Sequence, residues 1–324
     1  MAIKSFLRSL FVVSLAAQLS ACRTAPKAPV ANKAPGQGPL APSPLPTPKP
    51  EGSWSEPPVE TPPAAVSTDN EPKRVAVILG PGGAKALAHV GVLKALQRER
   101  VPIGKLIGLE WGALIGGLFA NKGQVHDVEW KLYKMEQQDL PRPRGFFPSR
   151  NDGTVKIMEG YLNDAFGKED VASARIPFAC PARSLWSGIV AWQNRGPFKD
   201  IMKRCLAFPP VLKVQGSFIA GASQATEAVE LLAKEGYNVI ILVNVLGSAM
   251  PVEQDALMEH VNTVILWQEI KRAIQQTSRL NIETINVDTS AKTIVQFEAK
   301  KELIQMGEVA GQKAAAALVN KYGF

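Results

Sequence analysis

Residues 75–93 read VAVILGPGGAKALAHVGVL, and residues 106–120 read LIGLEWGALIGGLFA. Each stretch joins a short aliphatic run to a turn that contains glycine, and then to apolar residues at helical spacing. This order predicts a buried strand, a tight loop and a helix, twice in succession. Two such units are typical of a parallel sheet that is covered by helices.

The alternation of strands and helices continues along the rest of the chain. We predict further strands at residues 178–182, 188–192, 239–245, 263–266 and 283–287. We predict further helices near residues 125–136, 154–166, 225–235, 268–278 and 300–322. The sequence therefore predicts an α/β fold, a three-layer α/β/α domain over residues 74–324 with a mainly parallel central sheet.

The first glycine-rich loop, residues 80–85, has the composition of an anion-binding loop. Its glycines let backbone N–H groups converge at a helix N-terminus, where they stabilise an anion or an oxyanion. A dinucleotide-binding loop works in the same way, and Glu110 follows the next predicted strand, where a ribose-binding acid would lie. However, Lys85 replaces the third glycine, and Glu110 lies further along than the usual spacing of about 20 residues. A nucleotide-binding domain is therefore a minor alternative.

The two stretches together, GPGGAKALAHVGVL at residues 80–93 and IGLEWGALIG at residues 107–116, resemble the bacterial patatin-like phospholipases. The resemblance continues through residues 206–210, 218–222 and about 303–318, and so covers the whole predicted domain. It implies an oxyanion loop formed by Gly82, Gly83, Ala84 and Lys85. It also implies that a strand-to-helix turn presents the nucleophile, with Gly108, Trp111 and Gly112 around it.

Two positions depart from the family pattern in a way that bears on catalysis. Glu110 stands where the family has its nucleophilic serine, and Ala220 stands where it has its catalytic aspartate. An ionised carboxylate is a poor nucleophile toward an ester, and alanine accepts no proton. The resemblance therefore implies a pseudoenzyme that binds phospholipid, a fatty acyl chain or a protein partner. An active hydrolase with rearranged residues is the alternative, with Ser223 as a displaced nucleophile, although a helix N-cap is the role that Ser223 favours.

The Glu110 side chain is predicted to occupy the oxyanion-binding N–H groups of the glycine-rich loop. The backbone N–H groups of Gly82, Gly83 and Ala84 need acceptors if they are buried, and the carboxylate is long enough to reach them, with Lys85 as a charge partner. A side chain directed into solvent is the alternative. Trp111 is larger than the small residue that the family usually has after its nucleophile, so we expect it to crowd the turn.

Residues 1–21 have the order of a lipoprotein signal peptide. Lys4 and Arg8 precede an apolar run, and the segment ends in Leu19-Ser20-Ala21-Cys22, which resembles the lipobox of bacterial lipoproteins. This implies lipidation at Cys22 and an exported protein that is anchored to a membrane. Because Arg23 rather than aspartate follows the cysteine, we expect the outer membrane in a Gram-negative host, facing the periplasm or the cell surface. A plain secretory signal is the alternative.

Residues 22–73 are predicted to be a disordered tether that begins at the lipidated cysteine. Fourteen of the 25 prolines lie between Pro26 and Pro72, and aliphatic periodicity is almost absent there. Such a segment buries too little apolar surface to offset its ordering entropy. The segment at residues 141–147, PRPRGFF, combines cations with aromatics, and we interpret it as a bilayer or partner contact or as an ordinary loop.

Other functions and sites are less well supported. The net charge of +8 is scattered along the chain, and no nucleic-acid-binding motif accompanies it, so we expect no nucleic-acid partner. The three histidines lack metal-site spacing, and we expect no metal or cofactor. The pair Cys180 and Cys205 is predicted either as a disulfide or as two buried thiols. The acidic residues of the third predicted helix region are interpreted as a solvated face: Asp127, Glu129, Glu136 and Asp139.

Overall fold

The computed structural model describes residues 72–140, 154–214, 216–247, 257–275 and 281–324. The strands of this part of the chain are β1 Val75–Leu79, β2 Ile103–Gly108, β3 Phe178–Ser184, β4 Val190–Gln193, β5 Phe218–Ala220, β6 Val239–Asn244 and β7 Asn281–Asn286. The helices are α1 Ala88–Arg98, α2 Trp111–Lys122, α3 Val125–Lys134, α4 Glu159–Phe166, α5 Phe198–Cys205, α6 Ala225–Lys234, α7 Leu257–Gln275 and α8 Lys300–Tyr322.

The described strands form one sheet in the order β4-β3-β2-β1-β6-β7, with β5 paired to β3. Strands β3, β2, β1, β6 and β7 are parallel to their neighbours along this path, whereas β4 and β5 run antiparallel to β3. The predicted α/β fold with a mainly parallel sheet is confirmed.

Helices cover both faces of the sheet. Every residue of β1 is therefore buried. Alternate β1 residues such as Val77 pack in one core with α1, α2 and α8, while Ile78 packs in a second core with α6 and α7. Side chains of a strand alternate between the two faces, so a continuous apolar run such as β1 serves two helix layers. The three-layer prediction is therefore correct.

One predicted strand is wrong. Residues 263–266 lie inside α7. A short apolar run does not distinguish a strand from a buried helix turn, and here Thr263, Leu266, Ile270 and Ala273 are buried at helical spacing. Strand β5 and helix α5 were not predicted, since β5 has three residues and α5 has eight.

Cys180 of β3 and Cys205 of α5 form a disulfide, which resolves that open alternative. In the part of the chain that the structure describes, no helix is both long and apolar enough to cross a bilayer. The predicted signal peptide, Cys22, nearly all of the tether and the segment at residues 141–147 lie outside the described residues.

Candidate active site

A tight turn joins β2 to α2, and Glu110 lies at its apex. The backbone of Glu110 has φ 53° and ψ −125°, a conformation that costs a non-glycine residue free energy. The flanking glycines make the turn sterically allowed: a Cβ on Gly108 would lie 2.3 Å from the Cα of Ala113, and one on Gly112 would lie 2.4 Å from the carbonyl oxygen of Leu79. This strand-turn-helix geometry is the one that exposes the nucleophile in G-x-S-x-G hydrolases.

The Glu110 side chain contacts the glycine-rich loop that follows β1. Its Oε2 accepts hydrogen bonds from the backbone N–H of Gly82 at 3.0 Å and of Gly83 at 2.9 Å. Only 2% of Glu110 is exposed, so the solvent-directed alternative is wrong. The third predicted contact is also wrong, because the N–H of Ala84 donates to the carbonyl oxygen of Ile294 at 2.7 Å.

Burial sets the protonation of the Glu110 carboxyl. Loss of solvation raises its pKa to about 7, against the opposing effect of the N–H groups of Gly82, Gly83 and Trp111. Among the described residues, no group donates to Oε1. Lys85 is buried, and the groups that shift the pKa of Glu110 do not include it. The group is therefore divided between its neutral and ionised forms near neutral pH.

A cavity of about 10 Å³ remains beside the carboxyl. This volume is of the order of one water molecule. Its described lining consists of Gly82, Gly83, Glu110, Phe208, Pro209, Pro210, Val211, Asn262, Leu266 and Ile294. As bounded by these described residues, the cavity is too small for an acyl chain.

The sheet brings Ala220 to the same end of the molecule as Glu110. Strand β3 pairs with β2 through Phe178 and Ala179, and with β5 further along. Because β4 occupies the opposite edge of β3, β5 continues the position of β2 in the sheet. It runs antiparallel to β3, so its last residue, Ala220, lies toward the end of β2 that leads to Glu110. The methyl group there offers no acid or base.

Ser223 does not form a nucleophile–base pair with any described residue. Its Oγ accepts a hydrogen bond from Nε2 of Gln224 at 3.2 Å. Helix α6 starts without a side-chain cap, so the predicted N-cap role of Ser223 is wrong.

His89 supports the loop from behind, as predicted. Its Nε2 lies 2.8 Å from the carbonyl oxygen of Gly80. Burial lowers the pKa of His89 to about 4, so the ring is neutral at pH 7 and Nε2–H donates to that carbonyl. His89 therefore fixes the loop rather than acting as a base.

Trp111 does not crowd the turn. Its indole is fully buried, with its ring centroid 4.5 Å from that of Phe297. The side chain therefore extends into the core on the α8 side of the sheet, and the turn keeps its geometry.

Comparisons with known proteins identify the family. The family model described as patatin-like phospholipase matches residues 77–230. An uncharacterized NTE family protein of Mycobacterium tuberculosis is 28% identical over 214 residues, which cover 64% of this chain and 57% of that protein. Residues 77–230 thus form a patatin-like phospholipase domain.

Other relatives of this patatin-like chain share shorter parts of their length. Lysophospholipase nte1 of Neurospora crassa is 43% identical over 181 residues, which cover 53% of this chain and 12% of that protein. The chain thus spans little more than half of the mycobacterial relative and a small part of the fungal one.

Two solved structures are similar in fold. VipD from Legionella pneumophila has a TM-score of 0.45 at 12% identity, covering 76% of this chain and 67% of that chain. ExoU from Pseudomonas aeruginosa, in complex with SpcU, has a TM-score of 0.40 at 11% identity, covering 78% of this chain and 53% of that chain.

Proposed function

We propose that this patatin-like domain is a catalytically silent member of its family that acts by binding at a membrane. One observation carries the proposal: the Glu110 carboxyl accepts hydrogen bonds from the N–H groups of Gly82 and Gly83. In an acyl hydrolase, such donors stabilise the oxyanion that develops on the substrate. Here they already bind an acceptor from the protein.

Glu110 is also unsuited to replace the serine. A carboxylate that attacked an ester from this position would need the N–H groups of Gly82 and Gly83 for the new oxyanion, but its own Oε2 occupies them. No base stands at Ala220, and the remaining cavity accommodates no substrate. The same residues therefore argue against both serine-type and carboxylate-type acyl transfer.

The purified full-length chain is expected to release no fatty acid from phosphatidylglycerol vesicles and no product from a short-chain reporter ester. The controls are a heat-inactivated sample and the Ser223→Ala variant, measured under the same conditions. Loss of a catalytic nucleophile typically lowers the rate by about 10⁴–10⁶-fold. Turnover above the heated control would contradict catalytic silence. If that turnover disappeared in Ser223→Ala, Ser223 would be the displaced nucleophile of the alternative raised in the sequence analysis.

Anchoring through a lipid on Cys22 is part of the same proposal. The Cys180–Cys205 disulfide supports it, since disulfides persist mainly in oxidising compartments outside the bacterial cytoplasm. We expect Cys22→Ser to abolish incorporation of labelled fatty acid and to leave the precursor uncleaved. The double variant Cys180→Ser with Cys205→Ser is the control, because it replaces the other two cysteines of the chain and leaves the lipobox intact. Unchanged fatty-acid labelling in Cys22→Ser would contradict the anchor.

A further inference from the structure

The hairpin between β3 and β4 carries an exposed apolar tip, which we call the Trp186 tip: Leu185, Trp186 and Ile189. These side chains are 53%, 88% and 67% exposed, respectively. Single exposed apolar residues are common on soluble proteins, but a contiguous group of large ones marks an interaction surface. The Trp186 tip is distinct from the cavity at Glu110.

Backbone and side-chain hydrogen bonds hold the Trp186 tip in a fixed shape. The N–H of Ser184 donates to the carbonyl of Ile189 at 2.9 Å, and the N–H of Leu185 donates to the carbonyl of Ser217 at 2.9 Å. The indole Nε1 of Trp186 lies 3.3 Å from Oγ of Ser217. The apolar groups are thus held outward by a three-stranded extension of β4, β3 and β5.

Two cations lie at the base of the Trp186 tip. The guanidinium of Arg204 lies 5.3 Å from the ring centroid of Phe218, which pairs with Ser184 at the end of β3. The guanidinium of Arg183 donates to the carbonyl of Gly188 at 2.7 Å, at the base of the tip. Cations near a bilayer surface attract anionic headgroups, and tryptophan favours the interfacial zone.

The register of the sheet relates the Trp186 tip to Glu110. Ile107 of β2 is opposite Ala179 of β3 in a parallel pair, so Glu110 lies at the level of Ala182. Ser184, the last residue of β3, is two residues further along, which corresponds to about 7 Å at 3.3 Å per residue, and the turn that carries Trp186 follows it. The tip therefore projects beyond the sheet edge that carries Glu110.

We propose that the Trp186 tip is a membrane-docking element that inserts into the interfacial region of a bilayer containing anionic lipid. Docking in this way turns the sheet edge that carries Glu110 toward the lipid. Together with a lipidated Cys22 it supplies the second contact that stable membrane attachment requires. The docking element depends neither on catalytic silence nor on the anchor, and its test separates it from both.

The test uses the chain from residue 22 onward with Cys22→Ser, so that neither a covalent lipid nor the apolar run of the predicted signal peptide contributes. Cosedimentation is measured with vesicles that are one third phosphatidylglycerol and two thirds phosphatidylcholine, and with vesicles of phosphatidylcholine alone. We expect binding to the anionic vesicles, weaker binding to the neutral ones, and loss of binding as the salt concentration rises. Adding Leu185→Ser and Trp186→Ser is expected to weaken binding at least about tenfold, because binding strength scales with inserted apolar area.

Trp130→Ser provides the matched control. Trp130 lies on α3 and is 62% exposed, so this variant removes an equally accessible indole from a different surface, and its binding should not change. Because Trp186 is mostly exposed, its replacement should leave the melting temperature unchanged. Equal binding by the tip variant and the parent, or no binding by the parent, would overturn the proposal. The second outcome, accompanied by capture of a protein through Trp186, would assign the tip to a protein partner instead.

Discussion

The double variant Glu110→Ser with Ala220→Asp is expected to hydrolyse a short-chain reporter ester, whereas each single variant leaves it intact. Serine at position 110 frees the N–H groups of Gly82 and Gly83, and the turn between Gly108 and Gly112 still presents the side chain at a strained φ of 53°. A nucleophilic hydroxyl needs a positioned base, which only aspartate at 220 restores. We expect a gain of roughly 10²–10³-fold over either single variant.

Labelling with a small fluorophosphonate shows whether the serine at position 110 is reactive, independently of ester turnover. We expect the double variant to be labelled and the wild-type chain to remain unlabelled. Rapid labelling of Glu110→Ser alone would contradict the assignment of the base to position 220. Trp111 should be kept, since its burial against Phe297 means that Trp111→Ala would cost about 3–5 kcal/mol of stability through the cavity left behind.

The free energy of unfolding of the wild-type chain is expected to fall by about 2–3 kcal/mol, relative to the Glu110→Gln variant, between pH 5 and pH 8. Burial raises the pKa of Glu110 from 4.5 to about 7, so the folded state binds this proton more tightly than the unfolded state. The resulting stabilisation is complete below the unfolded pKa and is lost as the pH rises through the folded pKa. Each unit of pKa difference corresponds to about 1.4 kcal/mol.

Urea unfolding of both proteins at several pH values checks this prediction. Glutamine is the matched control because its amide oxygen still accepts from Gly82 and Gly83 but does not titrate. All other groups are shared, so their contributions cancel in the difference. Glu110→Ala leaves both N–H groups without an acceptor and should be about 1–3 kcal/mol less stable than Glu110→Gln. A difference between wild type and Glu110→Gln that does not vary with pH would contradict the raised pKa.

The fold was predictable where local pattern and tertiary context agree. Strand β1 and helix α8 follow from apolar runs of the appropriate length and spacing. The segment at 263–266 was not predictable as helix, because the same β-branched and aliphatic residues suit a strand until the rest of α7 is seen to pack against the sheet. Strand β5 exists because β3 extends beyond the end of β2, which no local signal in its three residues reveals.

The candidate site was predictable only in part, for a similar reason. The contact of Glu110 with Gly82 and Gly83 was predictable, because a glutamate side chain is long enough to reach these N–H groups and buried N–H groups need acceptors. The acceptor of Ala84 is the backbone carbonyl of Ile294, and a carbonyl has no sequence signature. The raised pKa of Glu110 depends on how fully Phe208, Leu266 and their neighbours cover the carboxyl, which is a property of the folded chain.

The central claim is that an internal carboxyl occupies the N–H groups of the glycine-rich loop, and ¹³C NMR of the Glu110 side-chain carboxyl tests it most directly. The resonance is assigned in glutamate-labelled protein by its absence from the Glu110→Gln spectrum, and is then followed across a pH titration. The account predicts a midpoint near 7, with the amide protons of Gly82 and Gly83 shifting over the same range. A midpoint near 4.5 with no response from those two amides would contradict it.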